Sequence, residues 1–127
     1  MLLYITLGSN DLERASRFYD AALETLGFVR RVSESDELGY AAADDSRCRF
    51  WVVKPYDGQP ASFGNGSMTA LKAQCRADVD AFYHAALAHG GSDKGAPGLR
   101  PFHPNFYVCY VRDPDGNKLS AVCERPE

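Results

Sequence analysis

The chain has no cluster of lysines and arginines. Its 14 Lys+Arg are outnumbered by 17 Asp+Glu, for a formal net charge of -3. It therefore lacks the basic stripe that a phosphate backbone demands, which argues against nucleic acid as a partner. No apolar run approaches the roughly 20 residues of a membrane-spanning helix. Met1-Leu2-Leu3-Tyr4 passes straight into a strand pattern rather than a signal peptide, so a cytoplasmic location without a membrane partner is expected. There is no Cys-x-x-Cys. Cys48, Cys75, Cys109 and Cys123 stand singly, with no His nearby at zinc-finger spacing, and three of them sit in apolar strand patterns, where a free Cys behaves as a small buried hydrophobe. Gly64-Asn65-Gly66 lacks the third glycine, the lysine and the following helix of a phosphate loop.

What is present fits one domain. A chain of 127 residues can bury roughly two-thirds of its unfolded surface. Leu2 to Gly8 alternates as a strand. Asn10, followed three residues later by Glu13, reads as a capping box, and Leu12, Ala15, Tyr19, Ala22, Leu23 and Leu26 recur at helical spacing until Gly27. Strands are expected over 28–32, 38–43 and 49–53, separated by the acidic turn Ser33-Glu34-Ser35-Asp36-Glu37 and by Asp44-Asp45-Ser46. Residues 55–66 are rich in Pro and Gly and read as a linker between a first module at 1–54 and a second at 67–127. After it the pattern restarts: a strand over 67–73, a helix over 77–89 ended by Gly90-Gly91, a Gly/Pro-rich segment over 93–104 with room for a short strand, and a closing hairpin over 106–123. That hairpin turns at Asp113-Pro114-Asp115-Gly116-Asn117, where Pro presets one backbone angle and Gly or Asn accepts positive φ.

The two halves share a motif. Phe18-Tyr19-Asp20-Ala21-Ala22-Leu23 and Phe82-Tyr83-His84-Ala85-Ala86-Leu87 differ at one position, and the spacing between them lays Gly27 onto Gly91 and Tyr4 onto Met68. A slightly longer spacing lays Phe50 onto Ser120. Each half thus reads strand, helix, three strands. The expected fold is α+β: two paired βαβββ modules forming a curved mixed sheet with a central cleft and helices on the outer faces.

Thr6-Leu7-Gly8 through Asp11-Leu12-Glu13-Arg14-Ala15 and Phe18-Tyr19, then Leu26-Gly27-Phe28, and the closing Arg112-Asp113-Pro114-Asp115-Gly116-Asn117 resemble the vicinal oxygen chelate superfamily of glyoxalase I, bleomycin resistance proteins and extradiol dioxygenases. The resemblance spans essentially the whole chain and is specific for fold, not for activity. It implies, in the metal-using members, a divalent ion held by His, Glu or Gln from the first and last strands of each module. Here those positions are Tyr4 and Met68, then Phe50 (or Trp51 with a register one residue along) and Ser120. None is a strong ligand for a hard or borderline divalent ion, so no metal and no other cofactor is expected. The resemblance also implies a homodimer, with a cleft that can be built from modules of two chains.

A cleft lined by Tyr4, Phe50 or Trp51, Met68, Ser120 and Tyr110, which shares a face with Ser120 on a simple hairpin pairing, suits a small, partly hydrophobic organic ligand. His84 and His89 fall on the outer face and last turn of the second helix. His103 differs, because Arg100-Pro101-Phe102-His103 forms an irregular loop that could rim a pocket, making Arg100 and His103 ligand-contact candidates and His103 a weak candidate for a general base. Two functional classes stay open: ligand binding without a metal, and a lyase, isomerase or dioxygenase that uses an atypical metal site or an acid/base site at His103.

Overall fold

A computed structural model describes all 127 residues. The first half runs β1 (Ile5–Gly8), α1 (Leu12–Glu24), β2 (Phe28–Ser33), β3 (Glu37–Ala42) and β4 (Phe50–Val53). The second runs β5 (Thr69–Lys72), α2 (Arg76–Ala88), β6 (Ser92–Leu99), β7 (Tyr107–Arg112) and β8 (Lys118–Cys123). Both helices have 13 residues. Each half forms its own four-stranded mixed sheet, ordered β1-β4-β3-β2 and β5-β8-β7-β6, with the first and last strands of the half paired in parallel and the others antiparallel. The fold is α+β, two βαβββ modules. No helix is long and apolar enough to cross a membrane.

Alternation along each strand sends one set of side chains to the helices and the other away from them. Phe50, Val52, Leu119, Ala121 and Cys123 join Phe18, Tyr19, Leu23, Val79 and Phe82 in one buried core drawn from both halves. Phe18 and Phe82 are fully buried, each contributing about 1.5–3 kcal/mol relative to an exposed ring. The helices lie against each other, and Phe18 reaches so far toward the second module that a Cβ on Gly91 would stand 2.7 Å from its ring.

Local details depart from the pattern in the sequence. The cap of α1 is Asp11, whose Oδ1 accepts from the Arg14 N–H at 3.0 Å. Asn10 instead clamps the linker, accepting from the Ala61 N–H at 2.6 Å and donating to the Ala61 carbonyl at 3.1 Å. A tertiary partner thus outcompetes the local capping box. The segment expected to hold only a short strand forms β6, eight residues long, with register shifts on either side of Gly95. Those shifts accommodate its glycines and proline at a sheet edge.

The closing turn is held between the modules, with Asp113 and Asn117 buried. Asp113 is 4% exposed. Its Oδ2 accepts from the Tyr19 hydroxyl at 2.5 Å and from Asn117 Nδ2 at 2.9 Å, and its Oδ1 accepts from the N–H groups of Asp115 and Asn117. Asp115 reaches the start of α1, accepting from the Ser9 hydroxyl at 2.6 Å, the Asn10 N–H at 2.9 Å and the Arg14 guanidinium at 2.8 Å. Asn117 donates to the Gly8 carbonyl. A carboxylate at a helix N-terminus is favoured by the helix dipole and by the unpaired N–H groups there.

Candidate functional site

On the face of the first sheet turned away from α1 lies a cavity of about 700 Å³, lined by Tyr4, Thr6, Val32, Glu37, Ser46, Arg47, Cys48, Trp51 and Val53. Its floor is set by strand pairing. Thr6 lies opposite Trp51 in the parallel β1–β4 ladder, and Gly39 lies opposite Trp51 in β3–β4. Gly39 has no side chain to meet the indole: a Cβ there would stand 2.8 Å from Cζ3 and 2.9 Å from Cη2 of Trp51, and 3.0 Å from Cys48 Sγ. The ring lies down on the strand, with the remaining wall of the cavity beside it. Gly39 is needed here for room, not for an unusual backbone angle.

The rim is built by the turn before β4. Asp45 accepts from the Arg47 N–H at 3.0 Å through one oxygen and from Arg49 Nε at 2.8 Å through the other, and Arg49 also donates to the Leu3 carbonyl. These bonds, the Arg47 N–H first among them, hold the Asp45 carboxyl below its usual range. Arg49 is committed to the scaffold. Arg47, two residues earlier, makes no side-chain hydrogen bond or ion pair, nor does Glu37 at the start of β3, and both line the cavity. The pocket therefore combines an indole, a phenol, hydroxyls at Thr6 and Ser46, a free cation and a free anion.

The other residues singled out in the sequence divide by location. Phe50 is 2% exposed and points the opposite way from Trp51, its ring centroid 5.1 Å from that of Tyr19 and 6.5 Å from that of Tyr40. Trp51, not Phe50, is thus the residue that corresponds to Ser120, since Thr6 pairs with Trp51 as Ala70 pairs with Ser120. Met68 is half-exposed and lines a separate gap of about 300 Å³ between the two sheets, with Leu2, Ile5, Phe28 and Leu71. Tyr110 and Ser120 are direct partners across β7–β8. Ser120 is fully buried and its hydroxyl has no hydrogen-bond partner. Two cations approach the Tyr110 ring, Arg100 at 5.7 Å and Lys118 at 5.3 Å from its centroid. Tyr4 and Trp51 are brought together, as are Tyr110 and Ser120, but each pair belongs to its own sheet.

The loop candidates are occupied structurally. Arg100 donates to the carbonyls of Leu99 and Ala96. His103 Nδ1 accepts from the Asn105 N–H at 3.1 Å, which leaves Nε2 carrying the proton toward Glu124 at 2.8 Å. With both ring nitrogens engaged and Phe106 against its ring, His103 anchors the loop that leads into β7. Cys109 is a core residue: burial pushes its thiol up to about 11, the opposite of what a nucleophile needs.

The family-type metal positions do not fit a divalent ion. Tyr4, Trp51, Met68 and Ser120 supply a phenol, an indole, a thioether and a hydroxyl, and no three His, Cys, Asp or Glu side chains converge anywhere in the chain. Such a set offers neither the charge nor the imidazole donors these ions require.

Sequence reasoning missed Thr6, Val32, Glu37, Ser46, Arg47, Cys48 and Val53. Thr6 was accessible, being two residues after Tyr4 in the same extended stretch and so on the same face. The remaining six lie in stretches that read as solvated turns or strand ends, with no local signal that they converge.

The match to known proteins is extensive. A family model, the glyoxalase/bleomycin resistance protein/dioxygenase superfamily, matches residues 1–120. A crystal structure of a glyoxalase/bleomycin resistance protein from Albidiferax ferrireducens T118 is 39% identical, covers 97% of each chain and superposes with a TM-score of 0.85. A glyoxalase-related enzyme from Fulvimarina pelagi is 21% identical, covering 97% of this chain and 87% of its own, with a TM-score of 0.76. The fosfomycin resistance protein FosX from Mesorhizobium loti is 19% identical, covering 98% and 92%, with a TM-score of 0.69. At these last two identities the likeness speaks for the fold alone. No curated protein matches the chain.

Proposed function

The chain belongs to the glyoxalase/bleomycin resistance protein/dioxygenase superfamily, and from that premise we propose that it binds a small, partly hydrophobic organic molecule on the Trp51 face of its first module, without the divalent ion of the metal-using members. The observation that carries this reading is the cavity of about 700 Å³ walled by Tyr4, Val32, Trp51 and Val53. A volume of that size suits a drug-sized or smaller organic ligand, and an indole wall supplies stacking surface at low entropic cost. The donor set at the family's metal positions supports a metal-free site. The engagement of both His103 nitrogens weighs against the acid/base alternative at that residue. The reading includes a cytoplasmic location and a homodimer, the latter supported by the exposed apolar side chains of Leu2 and Met68 at the gap between the sheets.

Trp51 is the only tryptophan in the chain, so its fluorescence reports directly on the cavity. A screen of aromatic and aliphatic small molecules against the purified protein should yield ligands that quench this emission and raise the melting temperature. Prior treatment with a chelator should leave both effects unchanged, and elemental analysis should find Fe, Ni, Zn and Mn far below one per chain. Stoichiometric metal, or quenching abolished by the chelator, would sink the metal-free reading. Absence of any ligand across a broad screen would sink the binding reading. Sedimentation velocity tests the dimer.

A further inference from the structure

We propose that the ligand of the Trp51 cavity is a planar zwitterion or amino acid-like molecule: a flat ring that stacks on the indole, with a carboxylate recognised by Arg47 and a protonated amine or comparable hydrogen-bond donor recognised by Glu37. This rests on the reading of the cavity as a ligand site and adds the chemical class.

Three observations converge on it. The first is that Arg47 and Glu37 line one cavity and are both without ion-pair or side-chain hydrogen-bond partners, although four arginine–carboxylate pairs form elsewhere in this chain. Neither Arg17 nor Arg49 is left free; each pairs with an acid four residues away. Next, the turn itself sorts the arginines. Asp45 takes the Arg49 side chain but only the backbone N–H of Arg47, so the Arg47 guanidinium lines the cavity with no acid hydrogen-bonded to it. Finally, the two charges sit on different walls. Glu37 opens β3, and Arg47 lies in the loop before β4, with Trp51 on the floor beside them. A guanidinium presents a planar fork matched to a carboxylate, and a carboxylate accepts from an ammonium; charge-assisted bonds of this kind are roughly twice as strong as neutral ones. Thr6 and Ser46 add hydroxyls that can bind either group.

Isothermal titration calorimetry with four probes of one shape tests the assignment: para-(aminomethyl)benzoate, which carries both charges; para-toluate, with the carboxylate alone; para-methylbenzylamine, with the amine alone; and neutral para-toluamide. The expected order has the zwitterion binding about tenfold or more tightly than the amide, a difference equivalent to one or more charge-assisted bonds. Arg47→Gln should remove the advantage of the toluate over the amide and leave that of the benzylamine. Glu37→Gln should do the reverse. Both residues are outside the core, and circular dichroism melting verifies that each variant stays folded. An amide that binds as tightly as the zwitterion overturns the charge assignment while leaving the cavity a ligand site. Loss of selectivity that does not follow this pairing of variant and probe overturns it as well. If none of the four binds, the ligand class fails, and the broad fluorescence screen decides separately whether the cavity binds anything.

Discussion

The indole of Trp51 and the backbone of Gly39 are packed so closely that no other residue fits at position 39: an added Cβ would come within 2.8 Å of the ring. A ring seated this way loses its seat with a single methyl. Gly39→Ala is expected to lift the indole into the cavity, shift and broaden Trp51 emission, and weaken ligand binding. Its cost in stability should be about 1–3 kcal/mol, the range for overpacking. Chemical denaturation gives the cost, and fluorescence gives the displacement. Unchanged emission in a folded variant would count against this seat.

The interlock between modules rests on Tyr19 and Asp113. Tyr19→Phe removes one buried hydrogen bond to a carboxylate while leaving Asn117 and two N–H groups on it. A loss of about 1.5–3 kcal/mol is expected, since bonds to charged groups lie in that range. The melting temperature should fall and Trp51 ligand affinity should hold, because the cavity lies on the other face of the sheet.

Alkaline pH should unfold the protein through its tyrosines. Burial first, then the neighbouring Asp113 carboxylate, holds the Tyr19 phenol well above its ordinary value. Burial and the bond to Asp20 raise Tyr40 strongly. Tyr107 is pushed up to about 12, chiefly by its hydrogen bond to Asp80. A group whose proton is held more tightly in the folded than in the unfolded chain contributes stability that is intact below the unfolded value, about 10. That contribution declines as pH rises toward and through the folded one. Denaturation midpoints should therefore stay flat with respect to these groups up to about pH 10 and drop steeply above it. Part of the tyrosinate absorbance should appear only together with loss of circular dichroism. Full tyrosinate absorbance with an intact fold would contradict the burial of these phenols.

His103→Ala should loosen the loop before β7 without touching the cavity. Lost contacts to Glu124, Asn105 and Phe106 are expected to lower stability by about 1 kcal/mol, as befits a half-exposed pair. Ligand affinity read by Trp51 quenching should change less than about twofold, a few tenths of a kcal/mol. A large loss of binding, or of any turnover found later, would restore His103 as a site residue.

Much of this was legible in the sequence because it is local or periodic. Helical spacing of Phe18, Tyr19, Ala22 and Leu23, the breakers in 55–66 and the Pro-Asp-Gly turn each announce themselves within a few residues, and the order of elements follows. The site was half legible. Tyr4 lines the cavity, whereas Tyr110 pairs with Ser120 on the other sheet; adjacent aromatics Phe50 and Trp51 are equivalent until something decides which faces the helix, and in a strand a slip of one residue exchanges the faces.

Tertiary structure made that decision by pairing Ile5 with Phe50 and Thr6 with Trp51. It likewise buried Asp113 and Asp115 against residues about a hundred positions away, where the sequence shows only a polar turn. It gave the Asp45 carboxylate to the Arg49 side chain rather than to that of Arg47, and it set Glu37 on the wall of the same cavity with no cation bonded to it. Composition and period determined the modules, their order and the residue types at the positions where metal-using relatives place their ligands, since those depend on residue type and spacing. Which charges remain free, and which ring faces the cavity, depend on partners distant in the chain, and only folding chooses among those.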